Sequence, residues 1–194
     1  DSALQRGDYA GAIEHADVVI RSRPGLRYTL FNSMRELVVA PQGVEALSAA
    51  LQRNPPWRTE FLLMAADNQP TLAGTTALFA DLQGSPAPPT PLELGRLLTN
   101  LVQAGAFQEA LFLWMSVLPA YQFATLDYLS NGDFRFAPSG LPFDWTILPV
   151  QGADISIEAT ADAEDALRVQ FYRGRIDFSN VSKLLVLPPG RYVL

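Results

Sequence analysis

One histidine, His15, and no cysteine set the first limit on the chemistry open to this chain. Without cysteine there is no thiolate nucleophile, no disulfide and no Cys-ligated zinc, and a lone imidazole cannot build a His-rich metal site. A Ser-His pair would need His15 to reach a serine on another helix. Its place off the apolar stripe of its own helix points instead to surface or hairpin packing. Carboxylates remain. Asp144, Asp154, Glu158, Asp162, Glu164 and Asp165 raise the possibility of a two-carboxylate glycosidase. Most of them fall in turns or on the wet side of strands, where acidic residues chiefly keep a surface soluble. The chain therefore reads as non-catalytic, and it implies no cofactor and no metal.

Composition narrows the partners. With 194 residues, 48% of them hydrophobic, the chain can bury one large core or two modest ones. The formal charge is −6, and the 14 Lys and Arg are scattered, so the basic face that nucleic-acid phosphates require is absent. No apolar run approaches the roughly 18 residues of a membrane span. The chain begins inside a helical pattern at Ala3 and Leu4. It stops where Pro188-Pro189-Gly190-Arg191-Tyr192-Val193-Leu194 reads as a turn and a strand just starting. Both ends suggest a piece of a longer protein.

The elements that must position any site divide by hydrophobic period. From Tyr9, the residues Ala12, Ile13, Ala16, Val19 and Ile20 recur at three and four, which predicts a helix that Pro24-Gly25 stops. Further helices are expected over residues 30–40, 44–51, 58–66 and 71–82, separated by Pro41-Gln42-Gly43, Asn54-Pro55-Pro56 and Gln69-Pro70. The Pro-rich stretch 84–91 is read as a loop leading into a helix that Thr90-Pro91-Leu92-Glu93 starts. Two junctions share one pattern, Gly7-x-Tyr9-x-x-Ala12 and Gly105-x-Phe107-x-x-Ala110. Gly7 and Gly105 permit a tight turn, Tyr9 and Phe107 wedge between helices, and Ala12 and Ala110 allow close approach. This pattern resembles the junction of the tetratricopeptide repeat. Pro24 stands where that repeat usually ends and Trp114 where its second helix carries a large residue, while Gln122 replaces the second terminal Pro. The resemblance implies a helical hairpin array over residues 1–127 that serves either as a protein-docking surface or as a spacer.

Past residue 128 the period becomes two. Ile155 and Ile157 alternate with Asp154, Ser156 and Glu158, and Leu167, Val169 and Phe171 alternate with Arg168, Gln170 and Tyr172. Strands are expected over residues 145–148, 153–159, 166–172, 176–178 and 181–187 and from Arg191 onward, with turns at 160–165 and 173–174. Short strands at this spacing indicate an antiparallel β-sandwich starting near Asn131. Asn131-Gly132-Asp133-Phe134 followed by Pro142-Phe143-Asp144-Trp145 resembles the opening of galactose-binding-like jelly-roll domains, a fold of many carbohydrate-binding modules. The segments 167–171 and 187–194 resemble later strands of that family. Residues 128–194 would form its first half, a partial jelly roll. The apolar face left open would then be covered by the helices, by a partner chain or by a further segment.

The resemblance also implies a site. Sugar modules stack aromatic rings on pyranose faces and bond hydroxyls with Arg, Gln and Asn, and Trp145, Arg168, Gln170, Tyr172 and Arg173 supply those groups. The same residues would equally make a solvated strand face with Trp145 in the core. Related modules often hold a structural calcium, but Arg135 occupies the usual acidic place beside Asp133. The resulting expectation is a multidomain α and β binding protein that combines protein docking with polysaccharide recognition, with an envelope or periplasmic setting. Its alternative is a purely structural interaction module that binds no sugar.

Overall fold

The computed structural model describes residues 7–127, 129–159, 165–172 and 174–192. Two compact units divide the chain after Ala106. Helices build the first, and the second contains both helix and antiparallel strands. No described helix is long and apolar enough to cross a membrane.

In the first unit α1 (Tyr9–Ser22) is capped by Asp8, whose Oδ1 accepts the Gly11 N–H at 3.0 Å. A 3₁₀ turn at Pro24–Leu26 leads to α2 (Arg27–Arg35), and a second at Glu36–Val39 leads to α3 (Pro41–Gln52). Then follow α4 (Arg58–Ala66), α5 (Leu72–Gln83) and α6 (Pro91–Gln103). Each helix packs on the next but one. The series α1, α3, α5 makes one layer and α2, α4, α6 another, bridged by contacts of α1 with α2, α4 with α5 and α5 with α6. Between the layers Phe31, Trp57 and Phe61 meet at centroid separations of 5.6–6.0 Å, and Leu47, Leu51, Phe79 and Leu97 are fully buried.

Two glycines set how closely this stack closes. A Cβ on Gly43 would stand 2.0 Å from the Leu37 carbonyl oxygen, and one on Gly74 would stand 2.2 Å from that of Val38. Helices α3 and α5 thus pass directly against the Glu36–Val39 turn, at a distance only glycine permits. This corrects the sequence reading of 41–43 as a separator. Pro41 is the first residue of α3, where its missing N–H costs nothing, and Gly43 is inside the helix as a contact residue. Likewise α2 begins at Arg27 and ends at Arg35, earlier than expected at both ends, because Pro24-Gly25 turns the chain within three residues.

The start of α6 is as its sequence requires, with a further role. The Thr90 hydroxyl accepts the Glu93 N–H and the Glu93 carboxylate accepts the Thr90 N–H, a reciprocal capping box. The same carboxylate accepts from Thr59 Oγ1 at 2.7 Å and faces Arg58 Nη2 at 3.4 Å, with both charged side chains buried. Arg58 also donates to the carbonyls of Leu51 and Pro88. One carboxylate therefore ties the cap of α6 to the start of α4.

The second unit opens with α7 (Phe107–Ser116) and the single turn α8 (Ala120–Phe123). Four strands follow: β1 (Trp145–Ile147), β2 (Ala153–Ala159), β3 (Asp165–Phe171) and β4 (Val181–Lys183). They form two antiparallel ladders, β1 with β4 and β2 with β3. The β2–β3 register sets Ile155 opposite Val169 and Ile157 opposite Leu167, and on the other face Ser156 opposite Arg168 and Asp154 opposite Gln170. The alternation read from the sequence is the alternation of the ladder.

Several expected strand segments are not strands. Residues 176–178 are irregular, and Phe178 is held there by its edge-on contact with Phe171 at 5.3 Å. The segment 181–187 is a strand only to Lys183. Its partner β1 ends at the Trp145–Lys183 pair, so Leu184 onward has no ladder to join. Arg191 and Tyr192 are irregular, residues 160–164 and 193–194 lie outside the described residues, and Asp165 starts β3 rather than ending a turn.

Candidate functional site

Only part of the expected sugar-site set comes together. Arg168 donates from Nη1 to both Glu158 oxygens at 3.1 Å and from Nη2 to Gln170 Oε1 at 2.6 Å, while Ser156 Oγ donates to Glu158 Oε1 at 2.8 Å. The Ser156 hydroxyl, followed by Arg168, holds the Glu158 carboxyl below its ordinary range. Tyr172 follows the strand and is 58% exposed, and its N–H donates to the Gly152 carbonyl. Arg173 lies outside the described residues. On this face Ser156, Glu158, Arg168 and Gln170 are bonded to one another, and the last three are exposed.

Trp145 belongs to the other ladder. Its half-buried ring lies against Phe134, with centroids 4.9 Å apart and planes 30° from parallel, and its indole N–H donates to the Asn131 carbonyl at 2.7 Å. Asn131 stands at φ 55° and closes the turn that the Asn-Gly-Asp-Phe motif begins. Its side-chain amide donates to the Phe136 carbonyl and accepts the Phe136 N–H. Asp133 pairs with Arg135 at 3.2 Å. Among the described residues no cluster of three or more His, Cys, Asp or Glu could hold a metal. Asp144 caps its own loop, accepting from Ser139 N and Oγ through Oδ2 and from the Trp145 N–H through Oδ1. His15 is exposed on α1.

The repeat-pattern residues are found in mixed settings. Gly7 and Gly105 have φ of 73° and 78°, the left-handed conformation that the tight turns were expected to need. Ala110 is fully buried, whereas Ala12 and Tyr9 are half-buried and Phe107 is 43% exposed on the outside of its helix.

An open, mainly apolar groove of the second unit involves other residues. A groove of about 320 Å³ is lined by Leu111, Trp114 and Met115 from α7, by Leu126 and Phe143, and by the extended residues Leu184–Val186. Lys183, Ser130 and Asp127 supply its polar groups. Buried Phe143 packs on Trp114 with centroids 5.9 Å apart and adopts φ 73°, a left-handed conformation costly for a phenylalanine. The half-buried Lys183 ammonium donates to the carbonyl and hydroxyl oxygens of Ser130 and stands 5.4 Å over the Trp145 ring. Burial lowers its pKa, against the opposing pull of Asp144 and Asp127. Sequence reasoning missed this groove because its walls come from residues far apart in the chain. The one available signal was that Lys183 is the sole lysine.

No protein-family model matches the chain, and no curated protein and no solved structure matches it either.

Proposed function

We propose that this protein is a non-catalytic binding protein whose helical unit is a repeat-type docking scaffold of the tetratricopeptide kind. The observation that carries the reading is the packing of alternate helices into two layers. Such stacks hold their core between layers and leave the outer side chains of each layer free to meet a partner, as in α-solenoids generally. On the α2, α4, α6 layer those outer positions include Tyr28, Asn32, Asp67, Arg96 and Thr99, all exposed.

A second observation favours the form of this reading in which the strands bind no sugar. Arg168 is committed to Glu158 and Gln170, and Trp145 has its N–H occupied and belongs to the other ladder, which supports the reading without sugar. Peptides selected for binding to the whole chain test the docking role. Combined Tyr28→Ala, Asn32→Ala and Arg96→Ala replacement should weaken their binding at least about tenfold, the loss of roughly 1.4 kcal/mol. Binding indifferent to that triple change would remove the assignment. Glycan-array signal abolished by Arg168→Ala and Tyr172→Ala would restore the sugar alternative.

A further inference from the structure

The groove beside Lys183 presents a chemical imbalance. Its walls are apolar, yet a half-buried ammonium is set into them whose bonds, among the described residues, go only to neutral oxygens. Among the described residues the ion pairs are all made by arginines, and no carboxylate stands within ion-pair distance of the Lys183 ammonium. Asp144 is near enough to be felt but has both oxygens bonded elsewhere. Asp127 is exposed at the rim, where water screens its charge. Two of the three donors of the ammonium are used on Ser130, which leaves one.

We propose that this groove binds a small amphipathic carboxylate, with its hydrocarbon part against Leu111, Trp114, Phe143 and Leu185 and its carboxylate on the remaining donor of Lys183. The ligand supplies the anion that the half-buried ammonium lacks, and a charge-assisted bond in such surroundings is stronger than a neutral one. The volume, about 320 Å³, is at the lower end of the roughly 300–1,000 Å³ of ligand pockets, which suits a medium-length acyl chain or a single substituted ring. The left-handed Phe143 fits the same reading, since a strained backbone at a ligand wall holds the ring in one place. The lowered pKa of Lys183 agrees with a cation that burial leaves under-compensated.

The sole lysine makes the test direct. An amine-acylating reagent marks Lys183, and peptide mapping separates that mark from the chain terminus. Decanoate titrated into the whole chain should protect Lys183 from acylation and change the tryptophan emission. 1-Decanol, the same chain without charge, should bind ~10–100-fold more weakly, the range of one charged hydrogen bond. Lys183→Met, which removes the buried charge and keeps the volume, should bind decanoate and decanol alike, and Lys183→Arg should keep the preference. Equal affinity of the native protein for the acid and the alcohol would overturn the proposal. So would unchanged acylation at saturating decanoate, or no binding by a chain that circular dichroism shows to be folded.

Discussion

Residues 7–106 and residues 107–192 bury their apolar side chains to very different degrees. In the helical unit Phe31, Phe61, Phe79 and a dozen aliphatic neighbours have almost no surface in water, and even its one buried ion pair is hydrogen-bonded on both sides. In the second unit Trp114 and Phe143 are buried, but Ile155, Ile157, Leu167 and Val169 are half-exposed on the dry face of their ladder, and Phe171 is 52% exposed. Ladder bonds and local aromatic pairs hold that region more than a core does. The difference teaches where stability and recognition can reside. Burial at about 25 cal/mol per Å² concentrates the folding energy in the stacked helices, whereas the unit with incompletely covered apolar surface has free area for a ligand.

Paired substitutions sharpen this contrast, beginning with the largest effect. Phe61→Ala, which empties space beside Phe31 and Trp57, should destabilise the chain by about 4–5 kcal/mol in a denaturant titration, while Phe171→Ala should cost under about 1 kcal/mol. Similar costs would erase the distinction. Glu93→Ala strands Arg58 without its anion inside the stack and removes one of the two bonds of the α6 capping box, for a loss of about 3–4 kcal/mol. The exposed counterpart Glu158→Ala should leave the unfolding midpoint unchanged, since its pair with Arg168 is in water. Gly74→Ala forces a methyl toward the Val38 carbonyl and should cost about 1–3 kcal/mol by thermal unfolding.

The smallest effect is a pH dependence. Burial alone would raise the pKa of Asp17, but hydrogen bonds from the Trp57 indole and Arg21, with the charges of Arg21 and Arg53, lower it below its ordinary 3.8. An acid whose folded pKa is depressed contributes stability that is fully present above the unfolded value and lost as pH falls through the folded one. Asp17→Asn should therefore flatten the part of the acid-unfolding profile that starts near 3.8 and continues downward. An unchanged profile would show that this network adds nothing to the helical unit.

The same contrast governs what could be read from the residues alone. The period of two in β2 and β3 gave the right faces because each strand position has only two directions, and Ile155 and Val169 could meet only on the dry one. The Thr90-Glu93 cap was legible because both partners are three residues apart. Strand 176–178 was misread because a strand needs a neighbouring backbone, which no local pattern reveals. Gly43 looked like a breaker, since its reason for being glycine is the Leu37 carbonyl, a contact made only in the folded chain. The groove was invisible for the same cause: Leu111, Phe143 and Lys183 have no shared local signature.

Amide hydrogen exchange across the whole chain tests most directly the claim that the helical stack carries the stability. Amides within α3, α4 and α5 should exchange only through the slowest, global opening, and those of β2 and β3 should exchange much faster through local opening. Equal protection in the two regions, or slower exchange in the β2–β3 ladder than in α4, would contradict it.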